Sequence, residues 1–162
     1  MKTLLYATAL TLAFIASVPA AQASGVLRDA TVTHLVSSGA HPNSAHALTS
    51  TYYFTLHVAG KPLSQLSIDL PEDITETPRI EVQDSSGQIL DTKIFVNHQL
   101  ATITFAQPVS PEKTLKVSLK GVQTSGFAKS HSSIWLLPAS GQSVGLKAEI
   151  PFGIVRIHTY VN

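Results

Sequence analysis

The sequence contains no cysteine, and that single absence removes several chemistries. Disulfide cross-links, thiol nucleophiles, thiolate zinc sites and lipid attachment through a cysteine are all excluded, so stability has to come from packing. A clustered basic face is missing as well. Lys+Arg number 11 and Asp+Glu 10, and because Lys2 falls in the leader described below, the remainder carries equal numbers of each sign. Lys61, Lys93, Lys113, Lys116, Lys120, Lys129 and Lys147 are scattered among acids, which argues against a nucleic-acid partner. Beyond residue 23 no apolar run is long enough to span a bilayer. Neither Asn43-Ser44-Ala45 nor Asn97-His98-Gln99 fits the acceptor pattern for N-glycosylation.

Catalytic signatures are absent in the same way. There is no Gly-x-Ser-x-Gly elbow, no Ser-x-x-Lys, no HExxH spacing and no glycine-rich phosphate loop after a strand. Glu72, Asp73 and Glu76 fall together in one proline-flanked loop, the mark of a solvated turn rather than of two carboxylates facing a glycosidic bond. The reading is therefore of a non-enzyme, with no catalytic, cofactor-binding or metal residues assigned. An enzyme with a site of unfamiliar pattern is the third-ranked alternative.

What is present begins with export. Met1-Lys2-Thr3 supplies a positive start, Leu4 to Val18 an apolar run, and Ala21-Gln22-Ala23 a small-x-small ending. Together these make a secretory signal peptide over residues 1–23, with cleavage expected between Ala23 and Ser24. The apolar run is shorter than the roughly 20 residues of a spanning helix. Residues 24–162 then suit one domain that buries roughly two thirds of the surface exposed by its unfolded chain. The expected compartment is the periplasm or the extracellular space, with the thylakoid lumen a further possibility.

From Ala30 onward, short runs rich in Val, Ile, Thr and aromatics alternate with polar residues, and Pro, Gly, Ser and Asn punctuate them. That is the pattern of antiparallel strands, and no stretch carries a helical period. Strand-like runs fall at Ala30–Val36, Tyr52–Val58, Leu66–Leu70, Ile80–Val82, Ile89–Val96, Leu100–Phe105, Leu115–Leu119, Ile134–Leu137, Val144–Ile150 and Ile154–Val161, of which eight or nine are expected as strands. Tyr52, Phe54, Leu56 and Val58 point one way, with Tyr53, Thr55 and His57 opposite. Asn97-His98 reverses the clearest hairpin, with Asn97 the residue suited to left-handed geometry. Pro108 and Pro111 mark a connection, Pro138 to Gly141 a turn, and Pro151-Phe152-Gly153 an interruption. Lys116, Ser118 and Lys120 are expected on solvent, and Phe54, Ile103, Val117 and Trp135 in the core. Eight or nine short strands of this kind close most economically as an all-β antiparallel sandwich, with a small barrel as the alternative. The loops 37–50 and 123–133 are the longest irregular segments.

Seven histidines raise the question of metal. His34, His41 and His46 fall close together, but their spacing matches no rigid ligand set, so surface or cross-strand imidazoles are the preferred reading. Arg156 and His158 share a strand face with Ile154 and Tyr160, which would make a mixed polar and aromatic patch, although an edge-strand face with snorkelling side chains is the preferred reading. Tyr52, Tyr53 and Trp135 offer rings for a carbohydrate, although alternating strand aromatics are more often packing.

Tyr52-Tyr53-Phe54-Thr55-Leu56, the proline-containing segment Pro108 to Leu119, and the ending from Val144-Gly145-Leu146 through Ile150-Pro151-Phe152-Gly153 to Arg156-Ile157-His158 and Tyr160 carry a family resemblance. The chain resembles domain of unknown function 2808 from about Ala30 to Tyr160. That resemblance implies a small exported protein of photosynthetic bacteria and brings no agreed activity or catalytic residues. The leading expectation is an exported, non-catalytic β-domain acting through surface interaction with an envelope protein or cell-surface glycan. A metal-binding accessory protein using His34, His41 and His46 is the alternative.

Overall fold

The computed structural model describes residues 31–126, 131 and 133–161. The expected leader, its cleavage point, Ala30 and part of the 123–133 loop lie outside those residues. Nine strands run in chain order: β1 His34–His41, β2 Ser50–His57, β3 Leu63–Asp69, β4 Arg79–Asp84, β5 Thr92–Asn97, β6 Leu100–Val109, β7 Thr114–Val122, β8 Ser133–Ser143 and β9 Ile150–Thr159. They form two antiparallel sheets, one ordered β1-β2-β7-β4 and the other β5-β6-β3-β8-β9. Neither closes into a barrel, so the sandwich is the architecture.

Alternation explains why these sheets pack on each other. In β2, Tyr52, Phe54 and Leu56 are buried while Tyr53, Thr55 and His57 are half-exposed, as the period of two requires. Ladder partners continue the apolar face: Phe54 lies across from Val117, and Val117 from Val82. In the second sheet, Leu66 and Ile68 lie across from Ile103 and Ala101. The two inner faces join in one cluster that includes Phe54, Ile103, Val117 and Trp135, all four buried. Burial pushes the Tyr52 phenol well above its ordinary value, so it stays protonated through the accessible pH range.

Several strands differ from the sequence expectation, and prolines explain most of the differences. β8 does not turn at Pro138 to Gly141 but continues to Ser143. Its ladder with β3 ends at Ala139, so Pro138 sits where only β9 pairs it. β9 likewise runs through Pro151-Phe152-Gly153, as an outermost strand tolerates a missing N–H, and a bulge tucks Phe152 into the core. Residues 144–149, expected as the start of a strand, instead form the connection between β8 and β9. β6 extends past Pro108 to Val109, beyond the end of its ladder with β5 at Phe105.

β1 spans residues assigned to the head of a loop, because its Ser37-Ser38-Gly39 centre lacks apolar alternation and is held by pairing with β2. Ile89 bridges to Gln83 of β4, and β5 starts only at Thr92. At the hairpin tip it is His98, with φ of 53°, that takes the positive angle expected of Asn97. Asn97 meets it through Oδ1, 2.7 Å from His98 Nδ1.

Candidate functional site

The histidines singled out in the sequence do not converge. His34 and His41 occupy opposite ends of β1, which at about 3.3 Å per residue sets them roughly 23 Å apart. His46 lies in the loop that follows. His34 is instead the ladder partner of His57, and their ring centroids are 5.3 Å apart at 53°. His57 Nδ1 lies 3.3 Å from Thr114 Oγ1, and its Nε2 lies 3.7 Å from a carboxylate oxygen of the largely exposed Glu112. Among the described residues no group of three or more His, Asp or Glu is placed to hold a metal ion.

The aromatic candidates also separate. Tyr52 and Trp135 are core residues, with ring centroids 6.3 Å apart, and the Trp135 indole donates to Thr159 Oγ1 at 3.3 Å. Tyr53 lies on the outer face, where its ring covers Gly39 and Lys116 Nζ stands 5.1 Å from its centroid. The acidic loop is no free-standing turn either. Asp73 accepts from the Ser125 amide and hydroxyl, and Glu76 from Gln123 Nε2, fastening the loop to the chain after β7.

The outer face of the four-stranded sheet holds an ionic arrangement that sequence reasoning missed. Ser118, expected on solvent, is buried, and so is Glu81 across from it, which is only 8% exposed. Lys120 Nζ donates to both Glu81 oxygens at 2.9 and 3.0 Å, Gln83 Nε2 donates at 2.8 Å, and Arg79 stands 3.8 Å away. The Lys120 hydrogen bond is the main cause holding the Glu81 carboxyl below its ordinary value; desolvation opposes it, and Gln83 and Arg79 add to it. The available signal was a carboxylate flanked by Ile80 and Val82; its ladder partner on β7 is Ser118, and Lys120 reaches it from the position paired with Arg79.

The outer face of the five-stranded sheet divides into two parts. Near its centre Glu149, from the β8–β9 connection, lies across the strands and accepts from Gln65, Ser67 and Ser140 at 3.1, 2.8 and 3.0 Å. Farther along β8 and β9 the face becomes apolar. Ile134, Leu136 and Pro138 are the ladder partners of His158, Arg156 and Ile154, and all six side chains lie on the exposed side. Ile134 is 60% exposed, Leu136 50% and Ile154 50%. Tyr160 continues this stripe, its ring 6.4 Å from that of His158 at 20°. The shared face of Ile154, Arg156, His158 and Tyr160 is thus present as expected, and the aliphatic residues of β8 double its width. A cleft of about 330 Å³ opens at the β4–β6 side, its lining including Leu90, Asp91, Phe105, Lys113 and Leu115. No described helix is long and apolar enough to cross a membrane.

Comparison with solved structures gives partial likenesses. The N-terminal domain of the Streptococcus gordonii adhesin Sgo0707 aligns with a TM-score of 0.51 at 15% identity, over 79% of this chain and 32% of that one. The collagen-binding domain of a Staphylococcus aureus adhesin gives 0.44 at 9% identity, over 80% of this chain and 99% of that one. The human F-spondin reeler domain gives 0.46 at 15% identity, over 82% and 89%. At 15% identity the likeness to the streptococcal domain concerns the fold alone, and this chain spans about a third of that solved chain. No curated protein matches the sequence. The profile of a family described as protein of unknown function, DUF2808, matches residues 26–129, well over half the chain, and this chain therefore belongs to the DUF2808 family.

Proposed function

We propose that this protein is an exported, non-catalytic binding domain that attaches to a macromolecule of the cell envelope through the outer face of β8 and β9. The observation that carries the reading is the stripe of Ile134, Leu136 and Ile154 beside Arg156, His158 and Tyr160. Single exposed aliphatics are ordinary, but contiguous ones rimmed by polar groups mark contact surfaces. Mixed aliphatic, arginine and tyrosine composition is that of an interface centre. The sandwich is also a scaffold used by an adhesin, which supplies a fitting class of protein. His57, which a carboxylate oxygen of Glu112 approaches, sits on an outer sheet face against a threonine and a second imidazole, which fits the non-catalytic reading.

The test is co-sedimentation of the labelled mature protein with envelope fragments from its own source. Saturable binding is expected, weakened about tenfold in a Leu136→Ser/Ile154→Ser double variant, equivalent to roughly 1.4 kcal/mol. Both side chains are exposed, so the variant folds. Equal binding by wild type and variant, or no saturable binding, overturns the proposal.

A further inference from the structure

Four strands end the two sheets: β1 and β4 in one, β5 and β9 in the other. Such strands present unpaired N–H and C=O groups and are normally covered or blunted. Three of the four are. The outer edge of β4 is met by residues 88–90, where Asp84 N donates to Gln88 O and Leu90 N to Val82 O at 3.0 and 2.9 Å. β1 and β9 shield each other. The Ser38 hydroxyl donates to Arg156 O at 2.7 Å, and Asn43 and Ala45 exchange backbone bonds of 2.8 Å with Tyr160.

β5 is different. Among the described residues its backbone pairs only with β6, and nothing bonds to its outer side. The strand reads Thr92-Lys93-Ile94-Phe95-Val96-Asn97, without proline or glycine and with one charge. Phe95 is 68% exposed. Ile94 and Val96 are opposite the buried Ile103 and Ala101, so they face the core side, while Lys93, Phe95 and Asn97 face outward.

We propose that β5 is a pairing edge whose occupant is β5 of a second copy of this chain, antiparallel about a two-fold axis at Phe95, joining two five-stranded sheets into one of ten. The strand is complementary to itself in this register. On the outer face Phe95 meets the partner's Phe95, and Lys93 meets the partner's Asn97. On the core side Ile94 meets the partner's Val96. Each face keeps its own character, no like charges oppose, and an aromatic pair sits at the centre, the kind of cross-strand contact that stabilises antiparallel ladders. Isologous pairing also closes after two copies, so it consumes both open edges without propagating. One six-residue edge buries less than the roughly 1,600 Å² of a standard interface, so the dimer is weak and concentration-dependent.

Sedimentation velocity of the mature chain over rising concentration tests this. The wild type should shift from monomer toward dimer. Phe95→Lys, which sets two like charges on the axis, should stay monomeric, and mixing it with Phe95→Glu should restore the dimer. Because the sequence has no cysteine, single Phe95→Cys gives a clean second readout, forming an intermolecular disulfide on oxidation where Leu136→Cys does not. Circular dichroism confirms folding of each variant. A wild type that is monomeric at every concentration overturns the proposal, as does Phe95→Lys dimerising like wild type. A dimer that survives Phe95→Lys but is lost in Leu136→Ser moves the contact to β8 and β9 and equally overturns it. The Phe95 variants leave the β8–β9 stripe unaltered, so failure of β5 pairing and failure of envelope binding are read separately.

Discussion

At the scale of single residues, Phe54 and Glu81 show the two ways a strand position becomes fixed. Phe54 is buried at the middle of β2, between ladder partners Ser38 and Val117, and its burial follows from alternation alone. Phe54→Ala removes the ring and leaves a cavity between the sheets, so a loss of about 3–5 kcal/mol is expected in denaturant unfolding. An unchanged midpoint would mean that the inner and outer faces are reversed. Glu81 is fixed by partners rather than by pattern. Its folded value lies below the ordinary 4.5 because Lys120 favours the charged form. Its contribution to stability is therefore complete above that ordinary value and fades as pH falls through the lower folded one. Asp84 acts in the same direction, chiefly through the Ser86 hydroxyl. Between neutral pH and pH below 4.5, wild-type urea midpoints should fall more steeply than those of Glu81→Gln. Parallel curves would show that the Lys120 contact has no energetic coupling to folding.

Strands and their junctions raise a different question, which is where close approach limits the side chain. Gly141 of β8 stands where the chain passes between β3 and the bulged Phe152. A Cβ there would press on the Gln65 carbonyl and lie 2.5 Å from Phe152 Cε2. Gly39 of β1 is also close-packed, but against the tip of an outward-facing side chain: a Cβ there would lie 2.6 Å from the Tyr53 oxygen. The backbone carbonyl cannot yield and the tyrosine ring can swing. Gly141→Ala should therefore cost about 1–3 kcal/mol by overpacking, and Gly39→Ala clearly less. Thermal melts of the two variants decide it, and equal losses would show that the β8–β9 bulge relaxes as readily as a surface ring.

For the whole molecule, one apolar cluster spans both sheets, and no cysteine is available to reinforce it. Stability rests on that core, while the proposed interactions use what the sheets leave outside: the β8–β9 stripe and the β5 edge. Export, as proposed, would set which partners the molecule meets. The intact mass of the processed protein should correspond to a chain beginning at Ser24, given Ala21 and Ala23 before the cut. A mass that retains residues 1–23 would remove the leader assignment and with it the envelope setting of the proposed function.

The sequence by itself determined the class of fold and the composition of the core. A period-two apolar pattern reports which way a side chain points from its own strand, and Tyr52 to Val58 or Leu115 to Leu119 need no other information. It also disclosed the shared face of Ile154, Arg156, His158 and Tyr160, since these alternate along one strand. Only the tertiary structure decided the rest, because pairing joins residues far apart in the chain. It set His34 beside His57 rather than beside His41, and brought Lys120 onto Glu81 from a strand 39 residues away. It carried β6, β8 and β9 through prolines that locally signal a stop, since each proline lies where a neighbouring strand is missing. It also left β5 as the uncovered edge among the described strands, because coverage of an edge depends on strand order, and strand order is not encoded in the periodicity of any one strand.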